Sequence, residues 1–212
     1  MRRPRVVGIA GGTGSGKTSL IQRLLTKQYQ SHVASLSHDS YYKTSGVDRD
    51  GEGSPINWDH PDSLDNTLFI QHIDLLLNGH AVDVPIYDFK THSRRPESFR
   101  LDPKSVILLD GILLLAIAEI RERIDLRIFI ETPSDIRLLR RTRRDIESRG
   151  RTFKSVSVQY EETVRDMHET HVEPSKVYAD ILLPGLNISS RIVELIQAFF
   201  DLSIRSPDVC ER

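Results

Sequence analysis

Short apolar, β-branched runs recur along the chain at Arg5–Ala10, Val33–Ser37, Ser105–Asp110, Leu126–Glu131 and Ile181–Leu183. Between most of them the apolar positions fall at helical spacing. This alternation predicts an α/β fold in which a parallel five-stranded sheet is sandwiched by helices. The run Val106–Leu109 has no polar alternation, as expected of a central strand buried on both faces. After the first run, Leu20, Leu24 and Leu25 share one helical face. A second helix is predicted from a cap at Ser63 to about Asn78, with Leu68, Ile73, Leu76 and Leu77 inward and Gly79 as its stop.

One segment breaks the rhythm. His80–Phe89 alternates with period two, the polar stretch Lys90–Glu97 follows as a turn region, and Ser98–Leu101 is again strand-like. The pattern predicts a β-hairpin inserted over about 80–102, outside the parallel core, with Pro85 on an edge strand. Thr44–Pro55, rich in Gly, Asp and Ser, reads as a mobile loop, and residues 203–212 as a flexible tail behind a single domain over 1–202.

Composition adds exclusions. At 212 residues, 38% hydrophobic and 28% charged, the chain is of ordinary globular type, and its net charge of -1 points to neither nucleic acid nor an anionic membrane. A single cysteine, Cys210, fits a reducing compartment. The basic start Met1–Arg5 leads straight into a strand without the apolar core of a signal peptide, and no run approaches a membrane span. The expected home is cytoplasmic.

The chemistry begins at Gly11-Gly12-Thr13-Gly14-Ser15-Gly16-Lys17-Thr18, which fits G-x-x-x-x-G-K-[ST] between a predicted strand and a predicted helix. Glycines let backbone N–H groups wrap a polyphosphate, and the helix start adds its positive end. Lys17 would reach the β/γ-phosphates and the Thr18 hydroxyl would ligate Mg²⁺; Ser19 completes the nucleotide-binding candidates. In an open parallel sheet, ligands sit off the carboxyl ends of the strands. Asp39 and Asp110 both fall there, as Mg²⁺-binding or catalytic carboxylates or, alternatively, as turn and cap residues.

The segment Ile136–Arg151 carries Arg137, Arg140, Arg141, Arg143, Arg144, Arg149 and Arg151, with Arg137, Arg141 and Arg144 on one helical face. Three readings stay open: a solvated basic face, a nucleic-acid patch weakened by Asp145 and Glu147, or a lid over about 143–155 closing on a phosphoryl donor with Gly150 as its flexible point. Tyr87, Phe89 and His92, with Trp58 upstream, offer stacking faces and an edge hydrogen bond for a flat heterocycle, or else ordinary core packing. Asp59 and Asp62 would hold sugar hydroxyls or cap a helix. His60, His80, His168 and His171 show no metal-ligand spacing and read as surface or structural.

From about Val6 to Phe200 the chain resembles the uridine kinase (uridine–cytidine kinase) family of the P-loop kinase superfamily. The resemblance rests on the glycine loop, on Asp39-Ser40-Tyr41-Tyr42-Lys43, Asn57-Trp58-Asp59-His60-Pro61-Asp62 and Pro85–Arg94. Asp110-Gly111-Ile112-Leu113, Arg140–Asp145, Arg149-Gly150-Arg151 and Pro174–Asp180 add to it. It implies ATP- or GTP-dependent, Mg²⁺-assisted phosphorylation of a pyrimidine ribonucleoside at its 5′-hydroxyl, giving UMP or CMP. It further implies that Asp39 is the catalytic base, that Tyr42 lies in the active site, and that Asp59 grips the ribose hydroxyls. Tyr87, Phe89 and His92 then form the pyrimidine pocket, with Trp58 where the family often has Phe. Arg141, Arg151 and Gln159 match nucleoside contacts; Arg144 and Arg149 match ATP-side contacts. Family members are commonly homotetramers.

The chain also departs from the pattern. Asp110 stands where the family usually has Glu; the shorter side chain keeps the charge and leaves direct metal contact or contact through a bridging water both open. His38 replaces a common Gln and would place a charge beside Asp39. Pro184-Gly185-Leu186-Asn187 only partly matches the family turn. Competing expectations are a related kinase acting on another alcohol, as phosphoribulokinase or pantothenate kinase does, and a nucleotide-binding regulator without catalysis. A stacking pocket at Tyr87–His92 favours the nucleoside.

Overall fold

The computed structural model of the chain describes residues 3–44 and 57–205. β1 (Arg5–Ala10) runs through the glycine loop into α1 (Lys17–Leu24), and β2 (Val33–Ser37) runs into a 3-10 turn, His38–Tyr41. α2 (Asn66–Leu77) precedes an antiparallel hairpin of β3 (Val82–Asp88) and β4 (Ser93–Leu101). β5 (Val106–Gly111), α3 (Ala118–Arg121), β6 (Leu126–Glu131) and α4 (Ser134–Arg149) follow. α5 (Phe153–Gln159) continues through a π-helical turn, Tyr160–Val164, into α6 (Arg165–Met167) and a second π-turn, His168–Val172. β7 (Ile181–Pro184) and α7 (Ser190–Arg205) come last.

The main sheet is parallel, in the order β2-β5-β1-β6-β7. Successive side chains of its central strands alternate between two cores. Val6, Ala10, Ile107 and Leu109 pack with Phe69, Ile73 and Leu76. Val7, Ile9, Val106 and Leu108 pack with Leu20, Leu24, Val193 and Phe200. That is why the central runs are apolar at every position. The register pairs Ser37 with Asp110 and Ala10 with Gly111, so the glycine loop, the Asp39 turn and Asp110 leave the sheet at one edge. No helix among the described residues is long and apolar enough to cross a membrane.

Several expectations are corrected. Helix α2 begins at Asn66, not after Ser63; its cap is Asp65, whose carboxylate accepts the Leu68 N–H at 3.1 Å. Ser63 instead closes a separate 3-10 turn that Pro61 opens, and its hydroxyl bonds the Asn57 carbonyl. Leu64 then bridges Tyr42 in extended conformation, which delays the helix. On α2 the buried positions are Phe69, His72, Ile73 and Leu76, while Leu68 and Leu77 are only partly buried. Strand β4 starts at Ser93, inside the predicted turn. A tertiary anchor explains this: the Arg94 guanidinium donates to the Tyr41 and Tyr42 carbonyls, each at 2.8 Å, and so fixes the strand against the Asp39 turn. Pro85 sits where the hairpin register shifts. Helix α7 continues to Arg205, past the expected start of the tail. The rest of the tail with Cys210, and all of the Thr44–Pro55 loop beyond Thr44, lie outside the described residues.

Candidate active site

The glycine loop is shaped by contacts only glycine permits. Gly14 has φ 75, and a Cβ there would stand 2.4 Å from the Arg137 carbonyl oxygen. The loop is braced from β6 and α4. Thr132 Oγ1 donates to the Ser15 carbonyl at 3.0 Å, and Arg140 donates to the Gly185 carbonyl at 3.1 Å. The Ser15 hydroxyl is fully buried with no partner among the described residues. Gly12 lies against the Arg137 guanidinium and the His168 ring, so His168 packs on the loop as a structural residue; burial pushes it down to about 4, and it is neutral. Lys17 Nζ donates to the carbonyls of Gly11 at 2.7 Å and Gly12 at 3.1 Å. Burial pulls this ammonium down to about 8, against the attraction of Asp39 and Asp110. Gly16 precedes α1, and Thr18 and Ser19 sit exposed on its first turn.

Asp110 lies near the end of β5, and Asp39 in the 3-10 turn that follows the adjacent strand β2. Burial, then the Asp39 charge, pushes Asp110 up to about 6; Lys17 and a 3.3 Å bond from the Ser37 hydroxyl oppose this. His38 does not bring a charge to Asp39. It is fully buried, bonds Asn66 Oδ1 at 2.9 Å through Nε2, and is pushed down to about 4 by burial, so its ring is neutral.

Beside these carboxylates opens a cleft of about 580 Å³. Thr13 of the glycine loop lies at one end, and Asp39 and Ile112 line its wall. Aromatic rings form another part of the lining. Tyr42 lies 5.2 Å from Tyr87 and 6.0 Å from Trp58, and Tyr87 lies 5.1 Å from Phe89, between ring centres. His92, at φ 51 in the hairpin turn, stacks on Trp58 at 5.0 Å and 19°. Burial and then Arg151 hold His92 below the usual histidine range. Between the two candidate sugar-binding acids the structure distinguishes sharply. Asp59 is 5% exposed and lines the cleft, whereas the Asp62 side chain is 80% exposed.

The arginine-rich segment makes up nearly all of α4 and the turn into α5. Arg141, Arg144, Arg149, Arg151 and Gln159 all line the cleft. Arg141 donates to Gln159 Oε1 at 2.9 Å, and Arg151 bonds the same oxygen. Arg144 reaches Thr13 Oγ1 at 3.4 Å, and the Arg149 guanidinium lies 3.9 Å over the Phe89 ring. Asp110, Lys17, Thr18 and Ser19 are not among the residues that line this cleft. Sequence reasoning gave no role to Asp145, yet it is fully buried among these arginines. The signal was present: Arg141 and Arg149 stand four residues either side of it on one helical face.

Residues 6–190 match the Phosphoribulokinase / Uridine kinase family. The chain is 41% identical over 203 residues to a uridine kinase of Chloroflexus aggregans, covering 96% of this chain and 97% of that protein. It is 44% identical over 183 residues to a uridine kinase of Halalkalibacterium halodurans, covering 86% and 87%. Among solved structures, the fold is similar to that of a putative fructose transport system kinase from Silicibacter sp. TM1040. There the TM-score is 0.69 at 17% identity, with 87% of this chain and 91% of that one covered.

Proposed function

Since the chain belongs to the Phosphoribulokinase / Uridine kinase family, we infer that it is an enzyme with uridine kinase activity, transferring a phosphoryl group to the 5′-hydroxyl of uridine or cytidine. The observation that carries the reading is the single cleft in which the glycine loop, Asp39 and the Tyr42–Trp58–Tyr87–Phe89–His92 rings meet, in a chain alike to uridine kinases over nearly its whole length.

The donor is a nucleoside triphosphate, which we take to be ATP or GTP. The residues Gly11–Ser19 receive its phosphates. Backbone N–H groups and the start of α1 supply partial positive charge, and Lys17 a full one. Thr18, Asp110 and Asp39 would hold Mg²⁺. This donor set of one hydroxyl and two carboxylates, all oxygen, suits a hard cation that keeps most of its water. When bound, Mg²⁺ supplies neutralisation of the phosphate oxygens.

On the acceptor side, Asp59 takes the ribose hydroxyls, Tyr42, Trp58, Tyr87 and Phe89 enclose the base, and neutral His92 hydrogen-bonds its edge. Arg141, Arg151 and Gln159 complete the nucleoside contacts. Asp39 accepts the proton of the attacking 5′-hydroxyl as the phosphorus–oxygen bond to the donor breaks in line. Arg144 and Arg149 spread positive charge over the transferring group. A homo-oligomer, tetrameric by the family resemblance, belongs to the same reading; light scattering of the purified protein measures it.

A coupled ADP-release assay with MgATP tests the proposal. Turnover with uridine and cytidine, and none with ribulose 5-phosphate or pantothenate, is expected. Turnover confined to a sugar phosphate, or nucleotide binding without any acceptor-dependent ADP release, overturns it.

A further inference from the structure

Resting on the kinase reading above, we propose that Asp145 is a positioning residue that couples the phosphate end of the cleft to its nucleoside end by holding four arginines in one geometry. Asp145 itself does not line the cleft. Its side chain is fully buried. Oδ1 lies 2.9 Å from Arg144 and 3.4 Å from Arg149; Oδ2 lies 3.6 Å from Arg141 and 3.8 Å from Arg151. Gly150, at φ 68, ends α4 and turns the chain back so that the Arg151 N–H donates to the Asp145 carbonyl at 3.1 Å.

Each guanidinium then ends at a different place. Arg144 meets Thr13 of the glycine loop. Arg141 approaches Asp59 at 3.9 Å and bonds Gln159. Arg149 covers Phe89, and Arg151 bonds Gln159. One carboxylate is therefore shared by arginines that face the phosphates and arginines that face the sugar and base. Four cations crowded in a poorly solvated site repel one another, and long side chains spread when nothing holds them. Asp145 offsets both effects.

Stability does not account for the arrangement. A buried ion cluster is a weak stabilising device compared with apolar packing. Moreover, Oδ2 has no hydrogen bond that satisfies it among the described residues. What the cluster does provide is a set of donors held in place before the substrates arrive.

The test measures affinity by calorimetry, separately for uridine and for the Mg²⁺ complex of a non-hydrolysable ATP analogue. Asp145→Asn keeps the shape and removes the charge. It is expected to weaken both ligands by roughly tenfold or more, the worth of one charge-assisted hydrogen bond. Adding Arg144→Ala or Arg141→Ala to Asp145→Asn then costs far less than either does in the wild type. A second cycle leaves Asp145 intact and stays informative should Asp145→Asn fail to fold. Arg144→Ala alone is expected to weaken uridine, and Arg141→Ala the nucleotide, each by more than about twofold, the usual limit of additivity. A melting-temperature loss with both affinities unchanged, or arginine effects confined to the ligand each faces, overturns the proposal. A wild-type protein that binds neither ligand defeats the kinase reading first, which separates the two failures.

Discussion

Asp39 and Asp110 lie at the carboxyl ends of neighbouring strands, Asp39 in the turn just beyond β2 and Asp110 within β5, and their chemistry separates at the level of single groups. In the proposed reaction Asp39 takes a proton, so Asp39→Asn is expected to lower kcat by roughly 10²–10⁴, the range for a positioned acid–base group. Affinity for the nucleotide should persist, and steady-state kinetics beside a nucleotide-binding titration checks both. Asp110 makes a prediction about stability. Burial keeps its proton on the folded chain up to about pH 6, whereas an unfolded Asp releases it near 3.8. Between these values folding binds a proton, so this group's contribution to stability falls as pH rises through the window. Above it, the ionised carboxylate weighs against the fold. Without nucleotide or divalent cation, Asp110→Asn should therefore melt higher than the wild type at pH 7.5. The difference should shrink toward pH 4, as thermal unfolding across pH will show.

Among the elements, α2 and the hairpin illustrate how a local signal is redirected by a distant partner. Ser63 has good capping chemistry, but Pro61 nucleates its own turn there and Asp65 caps the helix instead. Asp65 also pairs with Arg94 of β4 at 3.3 Å, and Arg94 holds the backbone of the Asp39 turn. Asp65→Ala removes a cap worth about 1 kcal/mol and a half-buried ion pair worth at most about 1 kcal/mol. A loss of roughly 1–2 kcal/mol in urea unfolding is expected. The polar stretch after Phe89 carries no strand pattern because what makes it a strand is that anchor, some fifty positions away in sequence.

For the whole molecule, the two cores on either side of the sheet have unequal duties. Phe69 is fully buried, with ring centres 4.4 Å from His38 and 4.8 Å from Tyr41, directly behind the Asp39 turn. Phe200 is equally buried on the opposite face, 5.5 Å from Tyr29 and remote from the cleft. Truncation of either to Ala is expected to cost about 3–5 kcal/mol. Only Phe69→Ala should also lower kcat per folded molecule, because only that cavity loosens the turn that carries Asp39. Denaturant unfolding combined with active-fraction kinetics separates the two effects.

Local rules determined much of this protein from its sequence. The five parallel strands, the glycine loop and the aromatic strand of the hairpin depend on residues within a few positions of one another: periodic burial, backbone freedom at glycine, side-chain alternation. Asp39 and Asp110 could be placed at strand ends for the same reason. Local pattern does not separate Asp59 from Asp62; the family resemblance singled out Asp59, and the tertiary structure supplies the physical difference, burying Asp59 and exposing Asp62. Only the tertiary structure decided that His38 is neutral, since desolvation depends on how Phe69 and Asn66 close over it. By local pattern alone the arginines, too, read as a solvated face, a patch or a lid; the turn at Gly150 that folds Arg151 back onto Asp145 belongs to the tertiary structure. Charge proximity across a turn and through packed helices is a property of the folded chain, and spacing along the sequence does not contain it.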